Sequence, residues 1–128
     1  MIAITPIYAA ILALVYVYLA FRVIRNRRAA KVALGTGGDA ALERAIRVHG
    51  NFAEYVPITL LLLLLLELQG APRLSVVVIG MVFVAGSSAH AWGMSRDPED
   101  LRFRATGMAI TFATIITTSL GLIWLALV

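Results

Sequence analysis

Arg47-Val48-His49-Gly50-Asn51-Phe52-Ala53-Glu54-Tyr55-Val56-Pro57 runs directly into Leu60–Leu66, seven consecutive leucines. The leucines mark a helix made for lipid, and the residues before them put charge at its head. A charged side chain at the centre of a bilayer costs about 2.5–3.5 kcal/mol on insertion scales. An arginine, an asparagine and a glutamate retained there call for a purpose. Their i, i+4, i+7 spacing brings Asn51 and Glu54 within about 40° of Arg47 on one helix face. Arginine grips a carboxylate with two parallel hydrogen bonds, asparagine both donates and accepts, and glutamate takes an ammonium. The stripe therefore reads as a surface for a zwitterion; the plainer alternative is a salt-bridge ladder joining helices. His49 lies about 160° from Arg47 by the same geometry and points away from the stripe.

The rest of the composition agrees with a membrane setting. The chain has 128 residues, 61% hydrophobic and 14% charged, with a mean hydropathy of +0.91. Soluble domains are about 45–50% apolar, so this is read as an integral membrane protein. At about 20 residues per span, the length suits four helices with short loops, forming one all-α domain over 1–128. Cysteine is absent, which excludes disulfides, thiolate metal sites and a cysteine nucleophile. Any sulfur chemistry must use a thiol carried by the substrate. The pI of about 10.1 is assigned to topology and to anionic lipid. No interleaved basic and aromatic surface points to nucleic acid. Neither histidine has a second ligand at metal spacing, so no metal site is expected. The N-terminus lacks a basic n-region, so the first helix is expected to be retained.

The spans are placed at about 2–25, 40–69, 74–94 and 98–128. Basic residues end the first, and Gly35, Gly37 and Gly38 break the chain before Asp39, a helix cap. Asp97 as cap with Pro98 at the first helical position is expected to start the fourth. Ten of the eleven basic residues fall at the loop 1 and loop 3 side, leaving only Arg73 at the other. By the positive-inside rule, loops 1 and 3 face the cytoplasm and both termini face out. The stripe, His90, Arg102 and Arg104 then converge near the cytoplasmic face. Gly86, Ala89 and Gly93 on span three and Gly107, Ala109 and Thr111 on span four permit close helix approach.

The pattern Arg-x-x-x-Asn-x-x-Glu-Tyr-x-Pro at the head of a second membrane helix resembles the signature of the MAPEG superfamily, the membrane-associated proteins in eicosanoid and glutathione metabolism. The basic end of span one, the glycine-rich loop, the His90 region and Arg102-Phe103-Arg104-Ala105-Thr106-Gly107-Met108 extend the resemblance over nearly the whole chain. It looks closest to the small bacterial inner-membrane branch. The resemblance implies a homotrimer of four-helix bundles that binds glutathione between subunits near the cytoplasmic face. It implies that Arg47, Asn51, Glu54 and Tyr55 hold the tripeptide, with Arg25 reaching a carboxylate and His90 contributing from span three. An arginine opening span four would stabilise the thiolate. The distance to His90 favours Arg102 and the register to Gly107 favours Arg104, so both stand as candidates. Met94 stands where relatives often carry a tyrosine.

The implied activity is a membrane-bound glutathione transferase or peroxidase acting on lipophilic electrophiles or lipid hydroperoxides. A non-catalytic glutathione- or lipid-binding protein of the same fold is the alternative. A small four-span drug transporter fits poorly, because span one carries no acidic residue.

Overall fold

The computed structural model describes residues 4–127. They form four helices, α1 (Thr5–Ala30), α2 (Ala40–Leu68), α3 (Arg73–Ser95) and α4 (Leu101–Leu127). Each is long and apolar enough to cross a membrane, and no strand occurs among the described residues. The all-α architecture agrees with the sequence reading. The expected ends at residues 2 and 128 lie at or beyond the limits of the described residues.

Two boundaries differ from expectation. First, α1 continues past Arg25 to Ala30, because nothing in that basic run opposes a helix. Lys31 ends it in the left-handed conformation at φ 55°, its amide donating to the carbonyls of Arg27 and Arg28. The Arg27 guanidinium then gathers the loop, its Nη1 donating to the carbonyls of Val32, Ala33 and Gly35 at 3.3, 3.3 and 3.0 Å. Second, α4 begins at Leu101, not Pro98. Asp100, rather than Asp97, caps it: its Oδ1 accepts from the amides of Arg102 at 3.1 Å and Phe103 at 3.5 Å. Both aspartates are suitable cap residues, and only Asp100 reaches the orphan amides of the first turn. Asp97 instead pairs with Arg44 of α2 at 3.2 Å. Asp39 does cap α2, accepting from the Leu42 amide at 2.7 Å, and α2 runs unbroken across Pro57.

Helix α2 is the organising element and touches each of the other three, while α4 packs most closely on α3. Among the described residues, α1 and α4 do not meet. Helix α1 seats only Leu12 and Leu19 in the main core, against Val48, Phe52, Val56, Phe83 and Met94. Those two leucines are two turns apart, so α1 meets its neighbours along one narrow line. Val15 and Tyr8 pack at the edges of the core, and many of its other apolar side chains, such as Ile7, Leu14, Tyr18 and Phe21, are exposed, as expected in lipid.

The α3–α4 crossing rests on glycine. A Cβ on Gly107 would lie 2.5 Å from both the Gly86 carbonyl oxygen and the His90 amide nitrogen. A Cβ on Gly93 would lie 2.7 Å from the Arg104 amide nitrogen. The backbones can approach only because these side chains are missing. The hydroxyls of Thr111, Thr114 and Thr118 on the buried face of α4 donate to carbonyls four residues back, at 3.0, 2.8 and 2.7 Å. Those three donors are thereby satisfied within the helix itself.

At the opposite end of the bundle, Glu67 of α2 caps α1. Its two carboxylate oxygens accept from the amides of Ile4 and Thr5, each at 2.8 Å. This cap is not readable from local sequence, because its partners lie more than sixty residues away. Glu67→Ala is expected to cost about 0.5–2 kcal/mol, as for loss of a helix cap. Hydrogen exchange checks this: the Ile4 and Thr5 amides should exchange faster while the α3–α4 amides hold.

Candidate functional site

The stripe on α2 opens onto a cavity of about 380 Å³ bounded by α2, α3 and α4. Arg47, Asn51 and Glu54 form one wall, and His90, Met94 and Arg104 face them. The volume falls within the roughly 300–1,000 Å³ of small-molecule sites. No salt-bridge ladder is present: among the described residues the ion pairs are Arg44–Asp97 and Arg104–Glu99. Arg47 and Glu54 are exposed and form no ion pair there. A cation and an anion thus stand two turns apart on one wall, both open to a guest.

His90 is 6% exposed. Its Nδ1 lies 2.8 Å from the Arg104 carbonyl oxygen. A carbonyl only accepts, so Nδ1 carries the hydrogen, and in the neutral ring Nε2 keeps its lone pair. Nε2 is buried without a partner, on a residue that borders the cavity. The Gly93 and Gly107 contacts produce this arrangement by pressing the start of α4 against the His90 turn of α3.

The two candidate arginines separate clearly. Arg104 borders the cavity, and its Nη1 is 2.6 Å from Glu99 Oε2. Arg102 is exposed and is not among the cavity residues. Two residues apart on one helix, they point about 160° from each other, and the packing of α4 on α3 at Gly93 and Gly107 brings the Arg104 side to the cavity. Glu99 precedes the helix, so helix spacing did not reveal its pair with Arg104.

Tyr55 stands behind the site. Its ring meets Phe112 edge-on at 5.4 Å. It lines a void of about 10 Å³ together with Asn51, Ser87, His90 and Thr111. That is about the room one water needs. Ser87 was not singled out from the sequence, and Thr111 was read only as a small residue permitting close helix approach; their signal for a site was a polar residue on an otherwise apolar face. Arg25 does not reach the cavity within one chain and lines a separate groove between α1 and α3. His49, turned away from the stripe as expected, packs against Tyr16 of α1 at 4.8 Å between ring centroids. Among the described residues, no cluster of histidine and carboxylate side chains fits a metal ion.

Comparison with known proteins agrees with this architecture. The MAPEG family model matches residues 5–126. Inner membrane protein YecN of Escherichia coli (strain K12) is 36% identical over 121 residues, covering 94% of this chain and 91% of that protein. The corresponding YecN of Escherichia coli O6:H1 matches with the same figures. With the Arg47–Pro57 motif at the head of α2, four membrane-spanning helices and a family match over almost its whole length, this integral membrane protein belongs to the MAPEG family.

Proposed function

We propose that the α2–α3–α4 cavity binds glutathione and holds its thiol as the thiolate, for attack on a lipophilic electrophile or a lipid hydroperoxide. The observation that carries this reading is the free pair Arg47 and Glu54 on one cavity wall. Glutathione presents carboxylates, an ammonium and amides along one short chain. Arg47 takes a carboxylate, Glu54 the ammonium, and Asn51 an amide group.

Arg104 supplies the cation beside the sulfur. A free thiol has a pKa near 8.5 and is mostly protonated at neutral pH, whereas an adjacent cation favours the anion. In conjugation, the sulfur forms a bond to carbon as the leaving group departs with its electron pair, and the thiol proton balances its charge. In peroxide reduction, the sulfur takes the terminal oxygen and the alkoxide gains a proton. A second thiol then converts the sulfenic acid to disulfide and water.

The stripe lies on an exposed face of α2, which suits closure by a second copy. The proposed assembly is therefore a homotrimer, with Arg25 of a neighbouring copy meeting a glutathione carboxylate. The basic distribution and the YecN relatives support an inner-membrane location with this end cytoplasmic.

Calorimetric titration of the purified protein with glutathione, followed by its ultraviolet thiolate absorbance, tests the proposal. Binding with a thiolate signal is expected at neutral pH; absence of both would sink it. The Glu99–Arg104 pair at 2.6 Å favours a second reading, since it engages part of the cation the sulfur needs. In that reading the protein binds glutathione or lipid without turnover. Glutathione would then bind with no thiolate signal, and electrophiles would not be consumed.

A further inference from the structure

A second cavity, of about 530 Å³, lies between the α1 and α3 halves nearest loops 1 and 3. It shares no lining residue with the cavity at the α2 stripe. Its mouth carries Arg22, Arg25 and Arg96, and its inner end is apolar, with Val15 and Leu19. No acidic residue lines it. None of the three arginines forms an ion pair among the described residues.

Two of the guanidinium groups are held in place. Arg22 Nη1 donates to Ser95 Oγ at 2.7 Å, and Ser95 donates to the Ala91 carbonyl at 2.6 Å. Arg96 stacks over the Trp92 ring at 4.7 Å from its centroid. Trp92 is braced edge-on by Phe103 of α4 at 4.7 Å. Orienting a cation this way reduces the freedom it loses on meeting an anion. The positive charge sits where helix ends reach the membrane surface, and the apolar end runs back toward the hydrocarbon.

We propose that this groove is a binding site for an anionic phospholipid. Its phosphate lies between Arg22 and Arg96, and one acyl chain follows α1 toward Val15. Arginine matches phosphate geometry with paired donors, and an acidic leaflet supplies the ligand at high local concentration. A second copy of the chain is a poorer occupant because it has few carboxylates to offer. Asp39 and Asp100 cap helices, Asp97 and Glu99 pair with arginines, and Glu67 caps α1 at the far end. Glu54 belongs to the other cavity, leaving Glu43.

The test is native mass spectrometry of the whole protein released from vesicles of phosphatidylglycerol and phosphatidylcholine in equal amounts. Retained phosphatidylglycerol is expected on the wild type. Arg22→Gln with Arg96→Gln should lower retention at least about tenfold, the scale of losing charge-assisted hydrogen bonds. Arg28→Gln with Lys31→Gln removes the same charge from exposed positions outside the groove, and should retain the lipid. Ser88→Trp fills the groove from an exposed position and should also expel the lipid, with all three arginines intact. Unfolding midpoints of each variant in detergent verify that it is folded.

Equal retention of the two lipids, equal loss in both double variants, or no loss in either arginine or tryptophan variant would overturn the site. Full displacement by inorganic phosphate would show a free-anion site instead. Cross-linking of a second copy into the groove would show a subunit contact. Either result overturns the lipid.

Discussion

Arg104→Ala is expected to lower glutathione-dependent turnover about 10²-fold, the scale of removing one preorganised group that stabilises reacting charge. Arg102→Ala should leave turnover within about twofold, as for a surface substitution. The contrast follows from position: Arg104 borders the cavity and Arg102 does not. If the protein binds glutathione without turnover, neither variant nor wild type shows a thiolate absorbance. Initial rates with a lipophilic electrophile, together with that absorbance, make the measurement. Glutathione should still bind to Arg104→Ala, because the proposed contacts of Arg47, Asn51 and Glu54 with the rest of the tripeptide are untouched. The reverse order of effects would place Arg102 at the sulfur of a neighbouring copy's ligand and remove Arg104 from the chemistry.

Gly107→Ala should be the most damaging single methyl group in the protein. Its Cβ would meet backbone at 2.5 Å on two sides, at the Gly86 oxygen and the His90 nitrogen. Backbone cannot move aside as a flexible side chain does, so α3 and α4 must separate. Overpacking of this kind costs about 1–3 kcal/mol and at times more; the upper end is expected. Gly121→Ala on the same helix is the control. Its nearest new neighbour is Leu66 Cδ1 at 3.6 Å, an ordinary contact, and alanine gains about 0.5–1 kcal/mol in a helix interior. Unfolding midpoints in detergent should fall for the first substitution and hold or rise for the second. Gly107→Ala should also lose glutathione binding, since separating the helices breaks the His90–Arg104 contact. Equal midpoints for both variants would mean that the close α3–α4 crossing does not occur in the folded protein.

The site was legible in part. Arg47, Asn51 and Glu54 share one helix face by spacing alone, and the cavity confirms that shared face. The basic asymmetry grouped His90 and the α4 arginines with them. The choice of arginine was not legible, because the distance to His90 and the register to Gly107 pointed to different residues; only the α3–α4 packing shows that Arg104 borders the cavity. The cap of α4 was not legible either: Asp97 and Asp100 both satisfy the local rule, and only the packed loop shows which carboxylate meets the amides. Arg25 was read toward the same guest, yet within one chain α1 crosses away and carries it to another groove.

What the sequence determined by itself is whatever repeats within a few turns: four apolar helices, the Asp39 cap, the glycine-rich first loop and the charged stripe. Helix period and hydropathy are local, so each segment reports them without its neighbours. The tertiary structure alone decided which faces meet. It set Glu67 on the amides of α1, His90 on the Arg104 carbonyl, and three arginines around a groove between α1 and α3. These pairings join residues far apart in the chain, or across a loop whose path the helix period does not specify. They follow from close contact of small residues and from the need to satisfy buried polar groups, which are properties of the assembled helices.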